Sequence, residues 1–175
     1  AKLPVSFPRS VGQIPIYYNY FNTGRPATDD SNRNYNSSYN DESIFPKYEF
    51  GYGLSYTSFQ YSNLQLSQKS IRLNEKIEVN LVITNTGTYE GEEVIQLYLR
   101  DKVGSIVRPV KELKDFQKVR LAAGESRAIK FVINREKLSF YNQQLQWMAE
   151  PGDFELMIGA SSRDIRLKDN FELIK

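Results

Sequence analysis

Histidine and cysteine are both missing from this 175-residue sequence, tryptophan occurs once and methionine twice. Without histidine there is no Ser-His-Asp or Cys-His relay, no imidazole base and no His-ligated zinc or copper. Without cysteine there is no disulfide framework, no thiolate nucleophile and no iron–sulfur cluster. Acid–base chemistry is left to carboxylates, Lys and Tyr. No apolar run approaches the roughly 20 residues that span a bilayer, so no membrane helix is expected. Charge of one sign is also lacking: 23 basic against 21 acidic residues leave a formal +2. No face is obliged to track phosphates, and no nucleic-acid partner is expected. The lack of cysteine fits a cytosolic or a periplasmic protein equally.

What is present is unevenly spread. Residues 1–58 hold eight of the twelve Tyr and five of the seven Pro. Pro4, Pro8 and Pro15 interrupt each apolar stretch, so no regular helix fits residues 3–18, and short extended pieces over Leu3–Phe7 and Ile14–Tyr18 are expected. Asn22–Ser43 is dominated by Asn, Ser, Asp and Thr and buries too little apolar area to fold alone. The run from Phe45 to Tyr56 restores aromatics around Gly51 and Gly53, which reads as irregular backbone pinned by ring burial. The start, Ala1-Lys2-Leu3-Pro4, has neither Met nor a charged-then-apolar leader and reads as a piece of a longer protein.

From Phe59 onward the pattern is β. Ile77, Val79, Leu81 and Ile83 alternate with polar residues, a period of two that buries one face. Ile95, Leu97 and Leu99 repeat it, as do Ile129, Phe131 and Ile133, and Phe154, Leu156 and Ile158. Asn85-Thr86-Gly87, Ala123-Gly124-Glu125, Glu150-Pro151-Gly152 and Ser161-Ser162 punctuate them as turns. About seven short strands, with one helical turn over Arg135–Leu138, predict an all-β antiparallel sandwich over 59–175 behind an appendage over 1–58. Trp147 is expected as a core ring of that sandwich.

Candidate chemistry is thin. Asp29-Asp30, Asp41-Glu42 and the acidic run Glu90–Glu93 are paired carboxylates by type, but all lie in polar stretches with nothing to bury a carboxyl and raise its pKa. The spacing Asp30, Asn32, Asn34 echoes a calcium loop, yet Tyr35 occupies the position that needs Gly. Gly51-Tyr52-Gly53 lacks the third glycine of a dinucleotide fingerprint, and no S-x-x-K exists. No cofactor or metal is expected. Tyr17, Tyr18, Tyr20, Tyr35, Tyr39, Tyr48 and Tyr52 fall outside the sandwich pattern and are either packing groups or stacking surfaces for sugars.

Taken in order, several stretches resemble the C-terminal region of glycoside hydrolase family 3 β-glucosidases of the bacterial periplasmic type. They are the Leu3–Pro15 run, Tyr17-Tyr18-Asn19, Thr23-Gly24-Arg25-Pro26, and Phe50-Gly51-Tyr52-Gly53-Leu54-Ser55-Tyr56-Thr57. Asn85-Thr86-Gly87, Gln96-Leu97-Tyr98, the Arg108–Leu113 run, Phe140-Tyr141 and the Glu150–Phe154 run continue the series. The resemblance implies that 1–58 is the tail of a preceding α/β-sandwich domain plus a linker loop. It implies that 59–175 is an immunoglobulin/fibronectin type III-like domain. It also implies a parent enzyme that removes terminal non-reducing β-D-glucosyl residues with retention. In the family the nucleophile is an Asp of an N-terminal barrel and the acid/base a carboxylate generally supplied by the second domain, so no catalytic residue is expected here. The implied partners are the upstream catalytic domains and a β-glucoside or oligosaccharide, with a homodimer compatible; the implied location is periplasmic or secreted. Expected roles are structural support of those domains, a carbohydrate-binding module, or a loop over 22–43 whose Arg33, Tyr35 and Tyr39 contact the substrate aglycone.

Overall fold

Alternation of apolar and polar residues over Ile77–Asn85 places Ile77, Val79, Leu81 and Ile83 on one buried face of a strand. The computed structural model describes residues 1–27, 29–31 and 36–175. Ten strands follow in chain order: β1 (Phe59–Leu66), β2 (Ser70–Ile71), β3 (Ile77–Asn85), β4 (Gly91–Asp101) and β5 (Glu112–Leu121), then β6 (Ser126–Ile133), β7 (Phe140–Tyr141), β8 (Trp147–Met148), β9 (Gly152–Gly159) and β10 (Ile165–Leu173). Seven have eight to eleven residues, the number expected from the pattern. The other three are two-residue pieces too short for any periodicity.

The strands form two facing sheets, β1-β3-β6 and β2-β10-β9-β4-β5, with β7-β8 as a separate hairpin. All pairings are antiparallel except β2 with β10. The core between the sheets comes from the alternating sets of β3, β4, β6 and β9, joined by Phe171, whose ring stacks on Phe154 at 5.3 Å. Each such side chain contributes about 1.5–3 kcal/mol on leaving water. The helical turn expected at 135–138 is present as α1 (Arg135–Leu138), capped by the Asn134 side chain, which accepts the Lys137 N–H.

Residues 1–58 carry little regular structure. Among the described residues a 3-10 turn spans Val11–Gln13, and of the expected extended pieces Leu3–Phe7 forms a bridge, Phe7 with Tyr48. Five backbone hydrogen bonds clamp residues 3–7 alongside 47–52: Leu3 N–H to Tyr52 O, Gly51 N–H to Leu3 O, Phe7 N–H to Tyr48 O and Lys47 N–H to Phe7 O, each 2.7–2.8 Å, and a longer one from Tyr48 N–H to Phe7 O at 3.4 Å. Gln13 is buried among them; its Oε1 accepts the Arg9 N–H, and its Nε2 donates to the carbonyls of Ser43 and Phe45. The 48–53 stretch then lies across the outer face of β4, so that strand is buried on both sides from Ile95 to Leu99.

Two expectations fail here. Trp147 is not a core ring: it stands on β8, 51% exposed, because the β7-β8 hairpin projects from the sandwich. The acidic run 90–93 is not wholly solvated, since Glu93 points inward and pairs with Lys2 at 3.0 Å.

Candidate functional site

The face of β4 turned away from the core carries Gln96 and Tyr98, both buried. The Gln96 amide donates to Ala160 O (2.7 Å) and Gly51 O (3.2 Å), while its oxygen accepts the Tyr98 hydroxyl at 2.5 Å. Gly51 adopts φ +79°, and a Cβ there would run into the Gln96 amide, so the close approach needs glycine. Tyr18 stacks on Phe50 at 4.3 Å and meets Tyr98 edge-on at 5.8 Å; its hydroxyl accepts the Leu113 N–H. Burial raises the Tyr18 and Tyr98 phenols above their usual range and keeps them protonated.

The turn between β9 and β10 closes this seam. Ser161 donates to Glu49 Oε1 at 2.8 Å, and the Ser162 N–H donates to Phe50 O at 2.9 Å. Lys111 reaches the same turn, donating to Ser162 O at 2.7 Å, and burial holds its ammonium below the usual lysine range. The Arg163 guanidinium lies 3.4 Å over the Phe45 ring.

Outside the seam these groups border a cavity of about 320 Å³, walled by Tyr17, Tyr18, Tyr20, Tyr39, Lys111 and Arg163 among others. Rings and two cations beside one engaged carboxylate, Glu49, suit stacking and hydrogen bonding of a neutral ligand. They do not supply the two facing carboxyls of a glycosidase centre. Among the described residues no three Asp or Glu side chains come together to hold a metal ion.

Of the sequence candidates, Tyr39 lines this cavity at 38% exposure. Arg33 and Tyr35 lie outside the described residues, as do Asn32 and Asn34 of the calcium-like spacing. The acidic pairs form no facing carboxyls with a site between them: Glu92 pairs with Lys118 and Glu90 with Arg120, while Asp30 and Glu42 each accept a hydrogen bond from Ser43, with Glu42 4.0 Å from Arg9. Besides Glu93, a second carboxyl contradicts the expectation that none is buried. Asp101, at the end of β4, is 8% exposed, and desolvation raises its pKa despite Arg108 beside it. Sequence reasoning missed Gln96 and Lys111 as buried groups of this seam: each is buried by segments distant in the chain.

Two facing sheets of this kind, with β4 and β9 paired at the centre of one of them, define a class that the sequence itself confirms: residues 93–162 match the fibronectin type III-like domain. The chain is 48% identical over 173 residues to the periplasmic β-glucosidase of Salmonella typhimurium, covering 99% of this chain and 22% of that protein. It is 39% identical to β-glucosidase BoGH3A of Bacteroides ovatus, over 99% of this chain and 24% of that protein. Among solved structures it superposes on the β-glucosidase of Listeria innocua in complex with glucose at a TM-score of 0.94. That match has 44% identity over 99% of this chain and 24% of the other. The chain thus resembles the C-terminal part of these β-glucosidases, with a fibronectin type III-like stretch included, and spans under a quarter of their length.

Proposed function

We propose that this chain is the C-terminal part of a periplasmic or secreted enzyme that hydrolyses terminal non-reducing β-D-glucosyl residues with retention. Its own role is to support the upstream catalytic domains rather than to react. On this reading residues 1–58 are the tail of the preceding domain and the linker, and 59–175 the domain that covers it. The observation that carries the reading is the concentration of exposed apolar side chains along 1–58. Val5, Val11, Ile14 and Phe21 face outward, with Leu54 at 86% and Tyr56 at 98% exposure. Such a concentration marks a protein interface. Fixing the pose of two catalytic domains preserves the geometry on which the rate depends.

The test is paired. Pure chain incubated with an aryl β-glucoside gives no turnover, and the full-length enzyme lacking this region melts at lower temperature and loses activity. Turnover by the chain, or a truncated enzyme as stable and active as the whole, overturns the proposal.

A second reading rests on Tyr39 in the cavity wall: the 22–43 loop supplies aglycone contacts through Arg33, Tyr35 and Tyr39. Alanine at these positions in the full-length enzyme then raises KM for oligosaccharides more than for aryl glucosides. Equal kinetics on both substrates excludes it.

A further inference from the structure

The β7-β8 hairpin stands at the end of the sandwich away from the β9-β10 turn, beside the start of β3 and the end of β6. Tyr141 and Trp147 face each other across it, ring centroids 4.9 Å apart and planes tilted by 55°, and they are 60% and 51% exposed. An adjacent pair of large rings left in water is a patch, unlike scattered single apolar residues. The hairpin is stiff. The Asn142 side-chain oxygen accepts the N–H groups of Gln144 and Gln146, and its amide donates to Gln146. Little ordering is then left to be done when a ligand arrives.

Trp147 is also one wall of a cavity of about 380 Å³, whose other walls are mostly polar. Asn134, Lys76, Arg135, Glu75 and Glu136 all line it. Among the described residues the side chains of Lys76, Arg135 and Glu136 make no hydrogen bond or ion pair, so their donors and acceptors are open. Glu75 uses one oxygen for the Arg72 N–H and keeps the other.

We propose that this ring pair and cavity bind a neutral oligosaccharide of pyranose units, separately from the Tyr-rich cavity of the linker. A pyranose presents C–H groups on its face, for Trp147 and Tyr141, and hydroxyls round its edge. Those hydroxyls match mixed donors and acceptors such as Lys76, Arg135, Glu136 and Asn134. The presence of both charge signs disfavours an anion, which Glu75 and Glu136 repel, and a cation, which Lys76 and Arg135 repel. The tilt between the rings fits a single soluble chain rather than the flat face of a crystalline polymer. The inference does not depend on catalysis by the parent, because it concerns binding by this chain alone.

Trp147 is the sole tryptophan of the sequence, so its fluorescence reports on this site without labelling. Cellotetraose or laminaritetraose titrated into the full 175-residue chain should shift the emission saturably. Tyr141→Ala and Glu136→Ala, both exposed, should keep the melting temperature and weaken binding by about tenfold, the loss of one stacking or charged contact. Trp147→Ala should abolish the heat of binding in calorimetry, while Phe116→Ala, an exposed ring elsewhere, should leave it unchanged. Emission that stays flat with both sugars overturns the proposal. So does binding that survives Tyr141→Ala and Glu136→Ala at full strength. Neither result bears on whether the chain supports the catalytic domains.

Discussion

Asp101 and Arg108 approach to 3.7 Å between Oδ2 and Nε, and neither of these buried atoms has a hydrogen-bond partner among the described residues. The guanidinium is committed elsewhere, bonding Glu112 at 2.6 Å and lying 4.2 Å over the Phe140 ring. Desolvation therefore outweighs Arg108, and the Asp101 carboxyl titrates above the ordinary value of about 3.9. A raised folded-state value means that the folded state holds this proton more tightly than the unfolded chain does. Its contribution to stability is complete below about pH 4 and is lost as pH rises through the folded value. Asparagine mimics the protonated form. The stability of Asp101→Asn relative to the parent chain should thus improve between pH 3 and pH 7, read from urea midpoints at each. A relative loss over that interval means that attraction to Arg108 dominates.

In β1 the pairing with β3 slips between Ser62 and Gln65, and Asn63 takes φ 55° at the slip. Asparagine tolerates this left-handed backbone; a β-branched residue does not. Asn63→Gly should stay within about 0.5 kcal/mol of the parent and Asn63→Val should lose about 1–2 kcal/mol, both measured by urea unfolding. Equal losses would show that the Asn side chain, not its backbone, matters there. The same scale shows what a sequence can disclose. In β3 every second residue faces a single core and the rest face water, so the alternation was readable at once. In β4 the alternation named Ile95, Leu97 and Leu99 but could not announce that Gln96 and Tyr98 are buried too. Their cover comes from Gly51 over Gln96 and Tyr18 against Tyr98, 45 and 80 residues earlier in the chain, and leaves no mark on the strand's own periodicity. Trp147 was misplaced for a related reason: a two-residue strand offers no period, and an aromatic next to a turn looks the same packed or projecting. Of the candidate contacts, Tyr39 was found at a cavity wall through composition alone. Lys111 was missed because its burial is imposed by the distant Ser161-Ser162 turn.

For the molecule as a whole, the two halves are knit by polar groups as much as by rings. Lys2 bridges Glu93 and Ala160 O at 3.0 Å, Gln96 joins Gly51 to Ala160, and Tyr18 sits between Phe50 and Tyr98. Removing 1–58 strips these partners from buried groups, each costing about 1–3 kcal/mol. Residues 59–175 alone should accordingly melt about 10 °C or more below the 175-residue chain in calorimetry. An unchanged melting temperature would mean that the seam adds nothing to the sandwich. The double-sided burial of β4 also bears on protein engineering. Were the sandwich grafted onto another enzyme from Phe59 onward, it would arrive with Gln96 and Tyr98 open to solvent and a new sticky surface. The portable unit includes Lys2 and Tyr18 as well as the 48–53 stretch, and fusion junctions belong ahead of them.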